Sequence, residues 1–429
     1  MATIGSSSGT VAAELERVES KIPILFERDD VFYSKVEKRP AEIVSEISMR
    51  IPLEIHPSAV ASTFSSDGGD MGLGNMPDYD KAELNTVELE IALQWTSRRK
   101  YAVDDKRKAV LNTFRRDLAS AMKEFRRFND SLCMTAGNGV LATITTVTNV
   151  GGVGGVDTYT LTTDGYGARL VRMKQPFNVW DPTLTVLRNP GNLAGQPYVS
   201  YYDGPNKTIQ ASNSPGNVQA GDLIVVGGVN GWTSPPTAIL GVPYHDTNSS
   251  VGTWLGFNRA TTPEVRANRV QAGGSLSLPM PRLAINKRGD RIGISALKTK
   301  LDAWMHPCQQ QQYEELGFEA SIINKESKEQ GLDLYFDDNM RMAGAPVKKS
   351  FSWDKTRIDF IDYDIWGRSE FYSCGWYKDD NGLKYFVVRG ASGGVATSNL
   401  AYITCSWNLY PNNPAGLSYI DTLTVPSGY

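Results

Sequence analysis

The stretch Val87-Glu88-Leu89-Glu90-Ile91-Ala92-Leu93-Gln94-Trp95 sets a large apolar residue at every second position. Side chains of a strand point alternately to its two faces, so this period reads as a strand with one apolar face. A second such segment lies upstream, with Ile47, Met49, Ile51, Leu53 and Ile55 interleaved by Ser48, Arg50, Pro52 and Glu54. Pro52 cannot donate to a strand ladder, which places it at an edge or a bend. Residues 57–86 separate the two segments and contain Ser65-Ser66-Asp67-Gly68-Gly69-Asp70. Two long strands around a glycine-rich tip predict a projecting hairpin. Such a projection has little core of its own and needs a partner surface for its apolar face.

The longest helical signal follows directly. Leu111, Phe114, Leu118, Met122, Phe125, Phe128 and Leu132 recur at spacings of three and four, which aligns them on one helix face. Asp104 or Asp105 supplies the oxygen that can cap the first turn, and Gly137 is a stop. About 30 residues at a rise of ~1.5 Å would span ~45 Å. The rest of the helix surface is basic, with Lys106, Arg107, Arg115, Arg116, Lys123, Arg126 and Arg127. Charge is segregated between the neighbouring segments. Residues 66–90 hold seven acidic residues and one basic, a net of −6, and residues 98–127 hold eleven basic and four acidic, a net of +7. Two solvated faces would look like this. So would an acidic strand region of one subunit meeting a basic region of the next, with the charges steering contact and fixing register.

Working outward, Val11, Leu15, Val18 and Ile22 predict a short amphipathic helix inside an N-terminal arm. Residues 140–260 are rich in short strand patterns and turn signals, among them Asn189-Pro190-Gly191 and Ser214-Pro215-Gly216. A small β insertion is expected near 198–235, including a strand over Ala220 to Gly228. Thr261 or Thr262 followed by Pro263 predicts a capped helix start. Ile294 to Gly317 reads as a helix broken near Pro307, where His306 has a packing or capping role. Strands return at 351–363, 384–389 and 401–409.

Several functions are excluded by what the chain contains. It has 429 residues, a net charge of −3, 41% hydrophobic and 21% charged residues, which suits a folded chain with a large core rather than a disordered or strongly basic one. No apolar run is long enough for a membrane-spanning helix, and the opening MATIGSSSGT, without a basic start or an apolar stretch, is not expected to act as a secretory leader. The three histidines (His56, His245, His306) and four cysteines (Cys133, Cys308, Cys374, Cys405) are scattered, so no metal site and no disulfide framework is expected. Gly390-Ala391-Ser392-Gly393-Gly394 matches GxSxG by letter. In the hydrolase order a histidine must follow the serine, and none does. The glycine clusters at 68–74 and 151–155 lack the lysine of a phosphate loop. No catalytic, cofactor-binding or metal-binding residue is assigned.

The order of elements resembles the major capsid protein of tailed bacteriophages, an α+β architecture known as the Johnson fold and shared with encapsulin shells. Stretches similar to phage capsid chains include Gly241-Val242-Pro243-Tyr244-His245, the run from Gly252 to Ala260, Tyr313-Glu314-Glu315-Leu316-Gly317, and Trp407 to Pro414 with Leu423-Thr424-Val425-Pro426. The resemblance implies an arm over 1–45 and an E-loop over 46–103. It also implies a spine helix and the start of a peripheral domain over 104–174, an axial domain over 175–350 and returning peripheral strands over 351–429. It further implies a shell of hexamers and pentamers in a virion that encloses double-stranded DNA, made in a host bacterial cytoplasm with scaffolding and portal partners. Glu88, Leu89, Glu90, Ile91, Leu93 and Trp95 would then meet a neighbouring subunit, and the basic helix face would meet DNA or that acidic loop. An encapsulin-like compartment is the alternative. A β-rich adhesin would show internal repeats, and none is present.

Overall fold

The computed structural model describes residues 31–39, 42–43, 48–56, 78–96, 108–149, 154–162, 170–188, 196–204, 206–227, 238–293, 301–323, 340–378, 382, 386–389 and 395–427. Along the chain, β1 (Glu42–Ile43), β2 (Ser48–His56) and β3 (Asp78–Asn85) precede β4 (Val87–Thr96) and the long helix α1 (Lys108–Leu132). Six strands follow: β5 (Val140–Asn149), β6 (Val156–Leu161), β7 (Phe177–Trp180), β8 (Tyr198–Asp203), β9 (Thr208–Ser212) and β10 (Leu223–Val226). A one-turn helix α2 (Val242–His245) leads to the hairpin β11 (Thr253–Trp254) and β12 (Phe257–Asn258). Then come β13 (Asn268–Gly274), α3 (Pro279–Ile292), β14 (Leu301–Met305), α4 (Pro307–Ile323), β15 (Arg341–Met342), β16 (Ala345–Lys349) and β17 (Ile358–Asp362). The chain ends with β18 (Trp366–Trp376), β19 (Phe386–Arg389), β20 (Val395–Pro411) and β21 (Ser418–Leu423).

These elements form two bodies. The described residues of the first fall within 31–33, 88–130 and 372–406. Its sheet is ordered β18–β20–β19, with β4 also paired to β20. Ala401, Ile403 and Cys405 alternate inward along β20 and are buried, as are Leu89 of β4 and Phe125 of α1. Near the end of α1, the Asp130 carboxylate accepts hydrogen bonds from the backbone N–H groups of Phe32 and Tyr33, at 2.8 and 2.7 Å.

The second body holds residues 34–87, 131–371 and 407–429. Its largest sheet is mixed, ordered β13–β21–β17–β14–β16–β15. β14 and β16 are parallel, with α4 in the crossover between them, as parallel neighbours require. Val270, Leu301, Ala303, Met305, Ile358, Phe360 and Ile420 form its core, and Met280, Ile285, Tyr313 and Leu316 of α3 and α4 pack on it. His306 caps α4: its Nδ1 accepts from the N–H of Cys308 at 3.1 Å. Arg357 is held between Asp359 and Asp246, at 2.6 and 3.5 Å.

A second six-stranded sheet runs β7–β10–β5–β6–β9–β8. Hydrogen bonds from Lys174 N–H to Val199 O, from Val199 N–H to Gln175 O and from Phe177 N–H to Pro197 O carry β8 back to the start of β7. The six strands thus close into a small barrel. Ile144, Tyr159, Leu161, Phe177, Val179, Val199, Ile209 and Ile224 fill it. Inside, Tyr159 and Ser214 share a hydrogen bond at 2.8 Å, and Ser214 donates to Asp157.

Several sequence expectations change. The upstream strand β2 pairs with β3, not with β4, which lies in another sheet. The β insertion is the part of a closed barrel that begins at Val140, and the barrel runs across the expected boundary at 174/175. Within the helix expected over 294–317, Leu301–Met305 form a strand, β14, while the part after the break at Pro307 is helical and passes Gly317 to end at Ile323; residues 294–300 lie outside the described residues. α3 lies in a segment for which no helix was expected. The helix expected at Thr261 or Thr262 is a single 3-10 turn, Pro263–Val265, without a side-chain cap. α1 ends at Leu132, before Gly137. The C-terminal segment divides, with β17 and β21 in the mixed sheet and β18 to β20 in the other. The N-terminal helix, the caps Asp104 and Asp105, and Ser392 lie outside the described residues.

One glycine is required by close approach. A Cβ on Gly241 would lie 2.3 Å from Thr135 O and 2.4 Å from Cys133 O, both rigid backbone atoms. Gly241→Ala is expected to destabilise the chain by about 1–3 kcal/mol through overpacking, read as a lowered denaturant midpoint with an unchanged slope.

Candidate assembly surfaces

β2 and β3 form an antiparallel ribbon with Met49 opposite Leu84, Ile51 opposite Ala82 and Arg50 opposite Glu83. Met49, Ile51, Ala82 and Leu84 point inward and are buried. Ile51, Ala82 and Leu84 join Trp254, Leu255, Phe257, Val265 and Tyr410 in one apolar cluster, on which Leu53 and Ile55 are only partly covered. The Glu83 N–H also donates to Leu255 O at 3.1 Å. The ribbon base therefore has a core within its own chain, contrary to the expectation that the projection would have little. The β11–β12 hairpin provides three of its eight buried residues, as many as the ribbon does. Its two loop residues, Leu255 and Gly256, have φ of 47° and 99°, the primed-turn geometry that matches strand twist.

A buried imidazole fixes this hairpin. The Trp254 indole N–H donates to Nδ1 of His245 at 2.9 Å, and Nε2 lies 2.9 Å from Leu409 O of β20. Nδ1 must accept, so Nε2 carries the single proton and the ring is neutral. Burial, with Arg259 nearby, lowers the His245 pKa to about 3, against the favourable bonds to Leu409 and Leu240. Asn408 continues the tie: its amide donates to Asn85 O of β3 at 2.6 Å, and its Oδ1 accepts from Leu240 N–H at 2.9 Å. The sequence reading gave His245 no role, although the capsid-like stretch Gly241–His245 ends on it.

The predicted contact residues divide by strand face. On β4, Glu88 and Glu90 are exposed, Leu89 is buried, and Ile91, Leu93 and Trp95 are half-buried. The Gln94 amide donates to Ser398 Oγ at 3.4 Å. Lys123 and Arg126 of α1 are exposed. Arg127 is not part of that basic face: only 2% exposed, it turns inward and donates from Nε to Glu124 at 3.2 Å. Arg115 and Arg116 lie on α1, but their side chains are outside the described residues, as are Lys106 and Arg107 altogether. Among the described residues, no group of His, Cys, Asp or Glu could hold a metal ion, and no helix is long and apolar enough to cross a membrane.

The capsid chain of cyanophage A-1(L) aligns with this architecture over 91% of this chain and 90% of its own, at 11% identity and a TM-score of 0.52. The fold is that of a phage capsid subunit. Capsid chains of bacteriophage PhiM1 and of a native GTA particle align over 96% and 98% of the chain, covering 93% and 100% of their own lengths. Their identities of 8% and 10% and TM-scores of 0.46 and 0.44 add nothing to that assignment. No protein-family model matches the chain, and no curated protein matches it. The capsid fold accounts for the mixed α+β architecture.

The neutral imidazole makes stability depend on acid. The unfolded His245 takes up a proton near pH 6.5 and the folded one only near pH 3, so its contribution is complete above 6.5 and is lost as pH falls towards 3. Denaturation at pH 7 and pH 4.5 should show a smaller loss for His245→Gln, whose amide can make both bonds without titrating. An equal loss in the two proteins would contradict the buried neutral ring.

Proposed function

We propose that this chain is the major shell subunit of a tailed bacteriophage. The observation that carries the reading is the capsid fold, shared with a cyanophage capsid chain over nine-tenths of both lengths. That the matched structure is a phage capsid favours a virion over an encapsulin-like compartment. The role is structural rather than enzymatic. Many copies associate through modest interfaces repeated by symmetry, as hexamers and pentamers of an icosahedral shell around double-stranded DNA.

In this reading the ribbon β2–β3 and the strand β4 are the parts that meet neighbours. The partly covered Leu53, Ile55, Ile91, Leu93 and Trp95 supply apolar surface whose burial drives association. Glu88 and Glu90 steer the approach towards a basic partner. Lys123 and Arg126 are candidates for that partner, or for phosphate contacts with packaged DNA, which would be sequence-independent and weakened by salt. A net charge of only −3 lets copies pack without strong mutual repulsion. A scaffolding protein and a portal complete the set of expected partners.

Electron microscopy of the purified chain, alone and with its scaffold, tests the reading. Closed shells or rings of five or six subunits are expected; a persistent monomer with scaffold present would overturn it. Reversing the two exposed acids, Glu88→Lys with Glu90→Lys, should abolish or deform the shells while leaving the melting temperature of the unassembled chain unchanged. Normal shells from that variant would remove the electrostatic part of the proposal.

A further inference from the structure

The outer face of the barrel has an unusual chemistry. β8 carries a bulge between Val199 and Tyr201, so Tyr198 pairs with Ser212, Val199 with Ala211, Tyr201 with Gln210 and Tyr202 with Ile209. Ala211 and Ile209 are buried inside the barrel, whereas Ser212 and Gln210 are partly exposed. Without the bulge, residues three apart would face opposite ways. With it, Tyr198 and Tyr201 lie on the same outer face, 39% and 49% exposed. The next strand continues both rows: Val156, 44% exposed, is opposite Ser212, and Thr158 is opposite Gln210. A third row runs Asp203, Thr208, Thr160, and its Asp203 accepts from Asn206 at the face's end. No other described residue of these rows is charged, and the exposed Lys174, whose N–H donates to Val199 O, lies at the margin of the face.

From the geometry we infer that this face binds a neutral oligosaccharide chain. Opposite residues two apart on β9, the two tyrosines stand about 7 Å apart along the strand, room for successive pyranose rings. The face of an aromatic ring is electronegative and attracts the partly positive C–H groups of a sugar, as it does the edge of another ring. Gln210, Ser212, Thr158 and Thr208 offer both donors and acceptors to hydroxyl groups. Charge decides against other ligands. A nucleic-acid strand also stacks on aromatic rings but needs a cationic groove for its phosphates, and the described rows carry no cation, Lys174 lying at their margin. Size decides against a protein: three rows on three strands cover on the order of 200 Å², well under the roughly 800 Å² per partner of a specific interface.

The inference is independent of the shell reading and is tested on the full chain by calorimetric titration. The probes are the neutral β-1,4-linked hexasaccharides of glucose and of N-acetylglucosamine, with a single-stranded DNA oligonucleotide as the competing class. Binding of at least one hexasaccharide is expected, insensitive to added salt and weakened tenfold or more by Tyr198→Ala or Tyr201→Ala. Tyr377→Ala, an exposed tyrosine of the other body, should leave it unchanged. Both barrel tyrosines are exposed, so the variants should melt with the wild type. Absence of binding to both sugars at millimolar concentration, binding that survives both tyrosine variants, or salt-sensitive binding of the oligonucleotide at this face would each overturn the inference.

Discussion

The second body depends on one ring that must stay uncharged. His245 accepts a hydrogen bond from the Trp254 indole N–H at one nitrogen and faces Leu409 O with the other. A protonated Nδ1 would oppose the indole N–H, and both groups would be buried and unpaired, at a cost of the order of 1–3 kcal/mol each. Trp254 in turn packs on Ile51, Ala82 and Leu84. The ribbon base, the hairpin under it and the end of the longest strand are therefore fixed by the same small polar connection. Its neighbour Asn408 makes a similar tie between β20 and β3. Two adjacent polar contacts of one strand thus fix an element that lies far from it in sequence.

Strand faces were legible from sequence; strand partners were not. The alternation of Met49, Ile51, Leu53 and of Leu89, Ile91, Leu93 correctly marks β2 and β4 as strands with two unlike faces. Alternation states which side of a strand is apolar, not which strand lies beside it. In the intervening β3, the described residues 80–85 bury only Ala82 and Leu84 among charged neighbours, a weak signal beside the strong alternation of β4. β14 failed for a related reason. Ala303, Trp304 and Met305 are all fully buried, and a strand covered on both faces loses its period and reads like a helix segment. α3 was missed because Pro279, Pro281 and Gly289 interrupt a weakly patterned stretch.

The site residues divide along the same line. Charge runs show that a surface is basic without showing which side chains reach it. Lys123 and Arg126 do, and Arg127 folds back onto Glu124. The closure of the barrel was illegible because it rests on backbone bonds at 174–177 and 197–199, and backbone pairing leaves little trace in side-chain type. The turn signal at 214–216 marked the end of one of its strands but not their circular order.

Edges connect this architecture to association. A strand edge is a row of unpaired backbone groups that will accept any other strand, a particular hazard for a chain proposed to be concentrated in a shell. The barrel removes its edges by closing. β1 and β15, at the margins of two other sheets, are two residues long. β3 and β4 are long, and there the protection is charge: Asp80, Lys81 and Glu83 are exposed on one, Glu88 and Glu90 on the other. Carboxylates on an edge repel an identical acidic strand and so disfavour indiscriminate pairing. They leave open the approach of a cationic surface, which is a far rarer partner than another strand. An edge protected by acid is in this way both closed to accident and selective, and the same residues that prevent aggregation can choose the neighbour.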